Sequence, residues 1–186
     1  MAPLARLRRT TSVGQRMTRF FQETFPTPTG TMLLLTDEHE NVRALDWEDY
    51  ADRMHRLLRL QYGTVSLEPR DGISQARRAV EGYFEGALGT IDNLPVKTNG
   101  TAFQREVWAA LRSVPTGQTT TYGALAVTLG RPKAVRAVGA ANGANPIGIV
   151  VPCHRVIGAN ASLTGYGGGL ERKRWLLRHE GATRGV

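Results

Sequence analysis

The chain has one cysteine, Cys153, among its 186 residues. A single thiol excludes an internal disulfide and a four-cysteine zinc site, and it fits a reducing compartment, the cytoplasm. The four histidines, His39, His55, His154 and His179, have no metal-ligand spacing, so no metal and no other cofactor is expected. No stretch approaches the ~18 apolar residues of a membrane span. Residues 96 to 186 contain no aspartate. They carry three glutamates against twelve lysines and arginines, a balance of +9. Residues 20 to 95 are the reverse at −6, and residues 1 to 19 add five arginines and no acid. An acidic segment joined to a basic one suggests an anionic partner for the basic part. A generally basic solvated surface is the plainer explanation of the same numbers.

With 41% hydrophobic residues the chain can bury a sizeable core. Residues 1 to 16 read as a basic, disordered tail without an apolar signal core, and Met17 reads equally well as an alternative start. Residues 17 to 95 read as a small α/β domain with a linker. "TMLLLTDEHENVRALDW" gives two strands around a polar turn, "WEDYADRMHRLLRLQY" a helix, and residues 74 to 84 a second one. Gly86, Gly89, Asn93 and Pro95 mark the linker. The many acids of this segment read as a solvated surface.

Residues 96 to 186 read as a second domain. Thr101 and Gln104 have capping-box spacing ahead of Phe103, Val107, Leu111 and Val114. Thr121 caps a short helix with Tyr122, Leu125, Ala126 and Leu129 on its apolar face, ended by Gly130. Pro132 suits the first turn of another helix that turns Val135 and Val138 inward. Two short helices across a tight turn form a helix-turn-helix pattern, and their place in the +9 segment favours DNA as the partner. The second helix, "KAVRAVGAAN", sets small residues around one long side chain, Arg136. That suits close backbone approach in a narrow groove better than base reading in a wide one.

"IVVPCHRVIG", residues 149 to 158, holds the thiol. A lone cysteine is most often a buried, inert hydrophobe, and Ile147 to Val151 reads as a short buried strand. Yet Cys153 stands beyond Pro152, beside His154 and Arg155, where positive charge stabilises a thiolate. The glycines at 165, 167, 168 and 169 fit no phosphate-binding fingerprint and read as loop geometry around Tyr166. Glu180 shares a helix face with Leu176 and Leu177, so it needs a partner, and His154 and Arg155 are candidates.

These segments, with "GTAFQREVWAALRSVPTGQTTTYGALA", "RPKAVRAVGAANGANPI" and "LTGYGGGLERKRWLLRHEG", strongly resemble the O6-alkylguanine-DNA alkyltransferases, also called methylated-DNA–protein-cysteine methyltransferases, and their constitutive bacterial branch most. The resemblance runs almost unbroken from Gly100 to Gly181 and more weakly back to Phe20. It implies an α/β (α+β) protein: a ribonuclease-H-like N-terminal domain, then a winged helix-turn-helix domain carrying the cysteine. It implies a monomer, possible cooperativity along DNA aside, that binds double-stranded DNA in the minor groove and flips out an O6-alkylguanine. The alkyl group, also from O4-alkylthymine, would pass to Cys153 once per molecule. His154 would act as base through a water, Glu180 would orient it, and Asn145 would hold the active-site loop. Tyr122 would donate to the base, and Arg136 would fill the gap left in the stack. Thr121, Tyr122, Ala134, Gly139 and Asn142 would meet DNA. Val156, Tyr166 and Gly167 would line the base pocket.

The residue types suit that chemistry. A soft thiolate is the right attacker at carbon, a neighbouring base lowers its effective pKa, and a donor near the purine helps the oxygen leave. The small residues Gly167 and Gly168 suggest room for larger adducts. Thr116 stands where many relatives carry a cysteine, which removes a competing thiol. Two other readings stay open. A non-catalytic helix-turn-helix protein could only sense alkylated bases, but would not need Cys153. A Cys-His hydrolase usually draws its two residues from distant parts of the chain.

Overall fold

Met32 to Leu35 is apolar without alternation, and such a strand needs cover on both faces. In the computed structural model, which describes residues 17–184, it has that cover. The strands β1 (Thr18–Phe25), β2 (Met32–Thr36), β3 (Val42–Trp47) and β4 (Val65–Pro69) form one sheet in the order β3-β2-β1-β4. All neighbours are antiparallel except β1 and β4. Helix α1 (Ala51–Tyr62) lays Met54 and Leu58 on one face, against Phe20, Leu33, Leu35 and Ala44. The other face, with Phe25, Met32, Leu34, Leu45 and Trp47, joins a core that includes Val107, Leu111, Cys153 and Leu176. The sheet therefore backs directly onto the cysteine-bearing half.

Helix α2 (Gln75–Phe84) is capped by Ser74, whose hydroxyl accepts from Arg77 N at 3.0 Å. The stretch read as a linker is packed: Ile91 and Leu94 are buried. Nor are all the acids of this half solvated. Glu23, Asp37 and Asp46 are buried, the two aspartates against Arg43 and Arg53. The basic tail over residues 1–16 lies outside the described residues.

In the second half, α3 (Ala102–Arg112) carries both bonds of the expected capping box. The helix-turn-helix is α4 (Tyr122–Thr128) and α5 (Val135–Gly143), the first capped by Thr121 Oγ1 on Ala124 N at 3.1 Å. Helix α5 starts later than Pro132 suggests. Ala134 N donates to Arg131 O at 2.8 Å and closes a turn first. That delay rotates Val135 outward, 39% exposed, while Val138 is buried as expected. Strands β5 (Thr120–Thr121) and β6 (Val156–Ile157) pair in parallel, and α6 (Leu170–His179) closes the chain. No described helix is long and apolar enough to cross a membrane.

Candidate active site

Residues 147 to 151 do not form the expected strand. Their backbone groups are claimed locally and by Asn145. Asn145 Oδ1 accepts from Ile147 N at 3.0 Å, and its Nδ2 donates to Val151 O at 2.8 Å and to Ile147 O at 3.3 Å. Val150 N reaches back to Gly148 O at 2.7 Å, which forces Ile149 to φ 67°. A β-branched residue there is strained, at a cost on the order of 1–3 kcal/mol. A second tight turn, Cys153 N to Val151 O at 2.8 Å, pivots on Pro152. Strand β3 anchors the loop from behind: Leu45 N donates to Pro146 O at 3.0 Å and Gly148 N to Leu45 O at 2.8 Å. A Cβ on Gly148 would stand 3.1 Å from that carbonyl, so the close approach favours glycine.

The two turns deliver Cys153 to the start of a single 3₁₀ turn, Cys153–Arg155. The thiol is 5% exposed and Sγ accepts from Asn145 Nδ2 at 3.1 Å. Asn145 thus touches the sulfur as well as the loop. Burial pushes the Cys153 thiol up from its ordinary value, against the pull of the Asn145 donor and the charges of Arg53 and Lys173. This corrects the expectation that the sequence neighbours His154 and Arg155 would lower it. Arg155 turns away and spends its donors on Glu180, on Val114 O at 2.6 Å and on Thr116 Oγ1 at 3.1 Å. Thr116 therefore does more than remove a thiol.

Glu180, just past α6, gathers the other polar groups. Its Oε1 accepts from His154 Nε2 at 2.9 Å, Arg155 Nη2 at 2.8 Å and Tyr83 Oη at 2.9 Å, and its Oε2 from Arg155 Nε at 2.9 Å. Burial alone would raise this carboxyl, but the charges and donors of His154 and Arg155 outweigh it and hold it well below the usual carboxylate range. Burial also lowers His154 against the pull of Glu180, so the imidazole is neutral near pH 7 and its charge acts on Glu180 only at acid pH. With Nε2–H given to Glu180, the lone pair sits on Nδ1, a buried atom without a partner among the described residues. Gly117, at φ 76°, passes so close that a Cβ would meet Glu180 O at 2.8 Å.

Tyr122 Oη pairs with Thr164 Oγ1 at 3.2 Å, and its ring lies over Gly139. Val156 O and Thr164 O both accept from Lys173 Nζ, at 2.6 and 3.1 Å, so one buried lysine ties β6 to the glycine-rich loop. Tyr166 packs edge-on to His154 and to Trp47, at 6.5 and 6.1 Å between ring centroids. Gly167 and Gly168 do not widen a pocket. A Cβ on them would stand 2.6 Å from the Arg53 guanidinium and 2.4 Å from the Trp47 ring, so their smallness admits the other half of the chain. Arg136 is exposed, Thr121 and Ala134 are half-buried at the starts of α4 and α5, and Asn142, expected at the DNA surface, is buried.

Two family descriptions divide the chain. Residues 102–182 match the DNA-binding domain of 6-O-methylguanine DNA methyltransferase, and residues 21–98 match its ribonuclease-like domain. The chain belongs to this methyltransferase family. The methylated-DNA–protein-cysteine methyltransferase of Salmonella typhimurium is 54% identical over 170 residues, 89% of this chain and 98% of that one. The Haemophilus influenzae protein of the same name is 42% identical, covering 88% of each chain. A Mycobacterium tuberculosis relative, solved in complex with DNA, superposes at a TM-score of 0.71 with 38% identity, over 86% of this chain and 92% of that one. For this member of the methyltransferase family, the sequence reading missed three side chains that touch the site. Tyr83 and Arg53 come from the first half. Arg53 donates to Gly143 O at 3.1 Å and Asn145 O at 3.0 Å while paired with Asp46 at 2.5 Å. Lys173 is the third. A hydroxyl or ammonium among apolar helix positions, such as Tyr83 beside Val80 and Phe84, is the signal that could have flagged them.

Proposed function

We propose that the protein repairs alkylated DNA by direct reversal, taking the alkyl group of O6-alkylguanine onto Cys153, once per molecule and without a cofactor. The observation that carries this is a buried thiol held by Asn145, followed in the chain by a buried His154 fixed on Glu180. His154 Nδ1 takes the thiol proton through a water, and Glu180 steadies the imidazolium that forms. The S–C bond then forms as the C–O6 bond breaks, and the electron pair leaves with the guanine. Tyr122 donates toward the base and eases that departure. Val156, Tyr166 and Gly167 line the space for the base, and O4-alkylthymine is a second substrate. Residues 96–186 hold the reacting groups as one domain, residues 17–95 brace them as another, and the cytoplasm keeps the thiol reduced. Incubation with a duplex carrying one O6-methylguanine adds one methyl mass to the intact protein, mapped to Cys153. No mass gain rejects the proposal.

The helix-turn-helix enters the minor groove of double-stranded DNA through Thr121, Ala134, Gly139 and the outward face of α5, with Val127 on α4 and Val135 on α5 both exposed. Few of these residues can read base edges, while the half that carries them has a balance of +9. Binding therefore falls steeply with salt and by the same factor on unrelated duplexes. Titrations at several ionic strengths check this, and a marked preference for one undamaged sequence contradicts it.

Arg136, the exposed long side chain on α5, fills the space of the flipped base. Arg136→Ala then slows single-turnover transfer on duplex DNA by about 10-fold or more, since extrusion costs a few kcal/mol. It leaves the rate on free O6-alkylguanine base nearly unchanged. Lys restores part of the loss, because an ammonium cannot stack as a guanidinium does. Equal losses on both substrates place Arg136 in pocket structure instead.

A further inference from the structure

Glu180 Oε1 has three donors, and one comes from outside the cysteine-bearing half: the hydroxyl of Tyr83, on α2, at 2.9 Å. Tyr83 is 0% exposed, so no bulk water replaces that donor. Its ring packs edge-on against Phe84 and His179, at 5.4 and 5.1 Å, so the phenol is fixed by packing rather than by the carboxylate alone. We infer that Tyr83 is a positioning residue for the base: by donating to the oxygen that holds His154, it limits the negative charge His154 feels and so sets the pH at which the imidazole accepts the thiol proton. This rests on the roles proposed above for Cys153 and His154.

The direction follows from charge. Glu180 Oε1 attracts the imidazolium more strongly than the neutral ring. A third donor on that oxygen draws part of its charge away and weakens the preference. Without Tyr83 Oη, His154 holds its proton to higher pH and is unavailable as a base over a wider acid range. The other groups facing this centre stay in place. Arg155 keeps both bonds to Glu180. Lys173 on α6 and the Cys153 thiol stand nearby, and Tyr166 reaches His154 from the glycine-rich loop. Asp46 and Arg53 face Cys153 and Tyr166 from the sheet and α1. His179 turns its Nε2 to Tyr83 O at 2.7 Å, a backbone contact that Phe at this position preserves.

Tyr83→Phe removes one oxygen and keeps the ring. The single-turnover rate of the full-length protein on methylated duplex, measured against pH, gives the test. The midpoint of the acid limb rises by about 0.5–1 pH unit, and the plateau above it stays close to wild type. The ¹⁵N titration of His154, recorded in the cold so that lost stability cannot hide it, moves by the same amount. An unmoved limb and an unmoved titration, with melting lowered or not, overturn the inference and leave Tyr83 a packing residue. Failure of the wild-type protein to gain an alkyl mass at Cys153 is a different result and overturns the site reading itself.

Discussion

Cys153→Ala takes up no alkyl group from methylated duplex and binds that duplex as wild type does. The two halves of this expectation have separate causes. The sulfur is the acceptor atom, and alanine offers no nucleophile in its place. Binding survives because the thiol is 5% exposed and faces Asn145 rather than a phosphate. The loop should hold as well, since Asn145 keeps its stronger bond to Val151 O at 2.8 Å and accepts still from Ile147 N. Removing one sulfur from a packed site costs about 1 kcal/mol. Intact-mass measurement after incubation, with binding followed on the same duplex, checks both halves. Any alkyl mass on the variant means that another residue accepts the group. Lost binding means that the loop, not the sulfur, was disturbed.

The burial that protects this thiol also works against it. A neutral thiol resists oxidation and chance alkylation before it meets its substrate. Reaction then needs a base at the moment the substrate arrives, the role proposed for the neutral His154, whose Nδ1 has no partner among the described residues. Arg53 and Lys173 add positive charge near the sulfur from two directions, one from each half of the chain. The thiolate is thus disfavoured at rest and accommodated once formed. Such a site suits a group used once.

How much of this the sequence discloses depends on where each partner lies along it. Cys153 and His154 are adjacent, Asn145 is eight positions away, and Glu180 declares itself as a carboxylate on an apolar face. The capping box at Thr101 and Gln104 is a matter of local spacing, and both of its bonds exist. The run 147 to 151 misleads because apolar composition reports burial and not conformation. The Asn145 side chain takes the backbone groups that a neighbouring strand would otherwise pair. The glycines at 167 and 168 mislead for a related reason: what fills the space above them, Arg53 and Trp47, lies more than a hundred residues earlier. Tyr83 and Arg53 are the least legible. Their contacts to Glu180 and to the 143–145 carbonyls span 90 residues or more, and no local period encodes them.

Glu180→Gln loses both stability and rate. The carboxylate accepts four hydrogen bonds and is the counter-charge of Arg155, which is 4% exposed. An amide keeps the shape but brings an NH₂ against donors and removes the charge. Breaking a buried pair in this way costs about 3–5 kcal/mol, because the remaining cation stays out of water. The base suffers with it. His154 loses the anion that fixes its tautomer and stabilises its imidazolium, so transfer slows by about 10²-fold or more. The pH dependence of stability separates this account from a general packing defect. Glu180 is held below its ordinary value of 4.5, so the folded state binds fewer protons than the unfolded one in that range. Its stabilisation is complete above the ordinary carboxylate range and is lost as pH falls below it. The melting temperatures of wild type and Glu180→Gln therefore differ most near neutrality and converge on acidification. A gap that stays constant with pH, or a variant with unchanged melting and unchanged rate, would remove Glu180 from the centre of the site. The Tyr83→Phe change sharpens the comparison. Its effect on the His154 titration acts through Glu180, so combining the two substitutions should abolish the acid-limb shift that Tyr83→Phe produces alone.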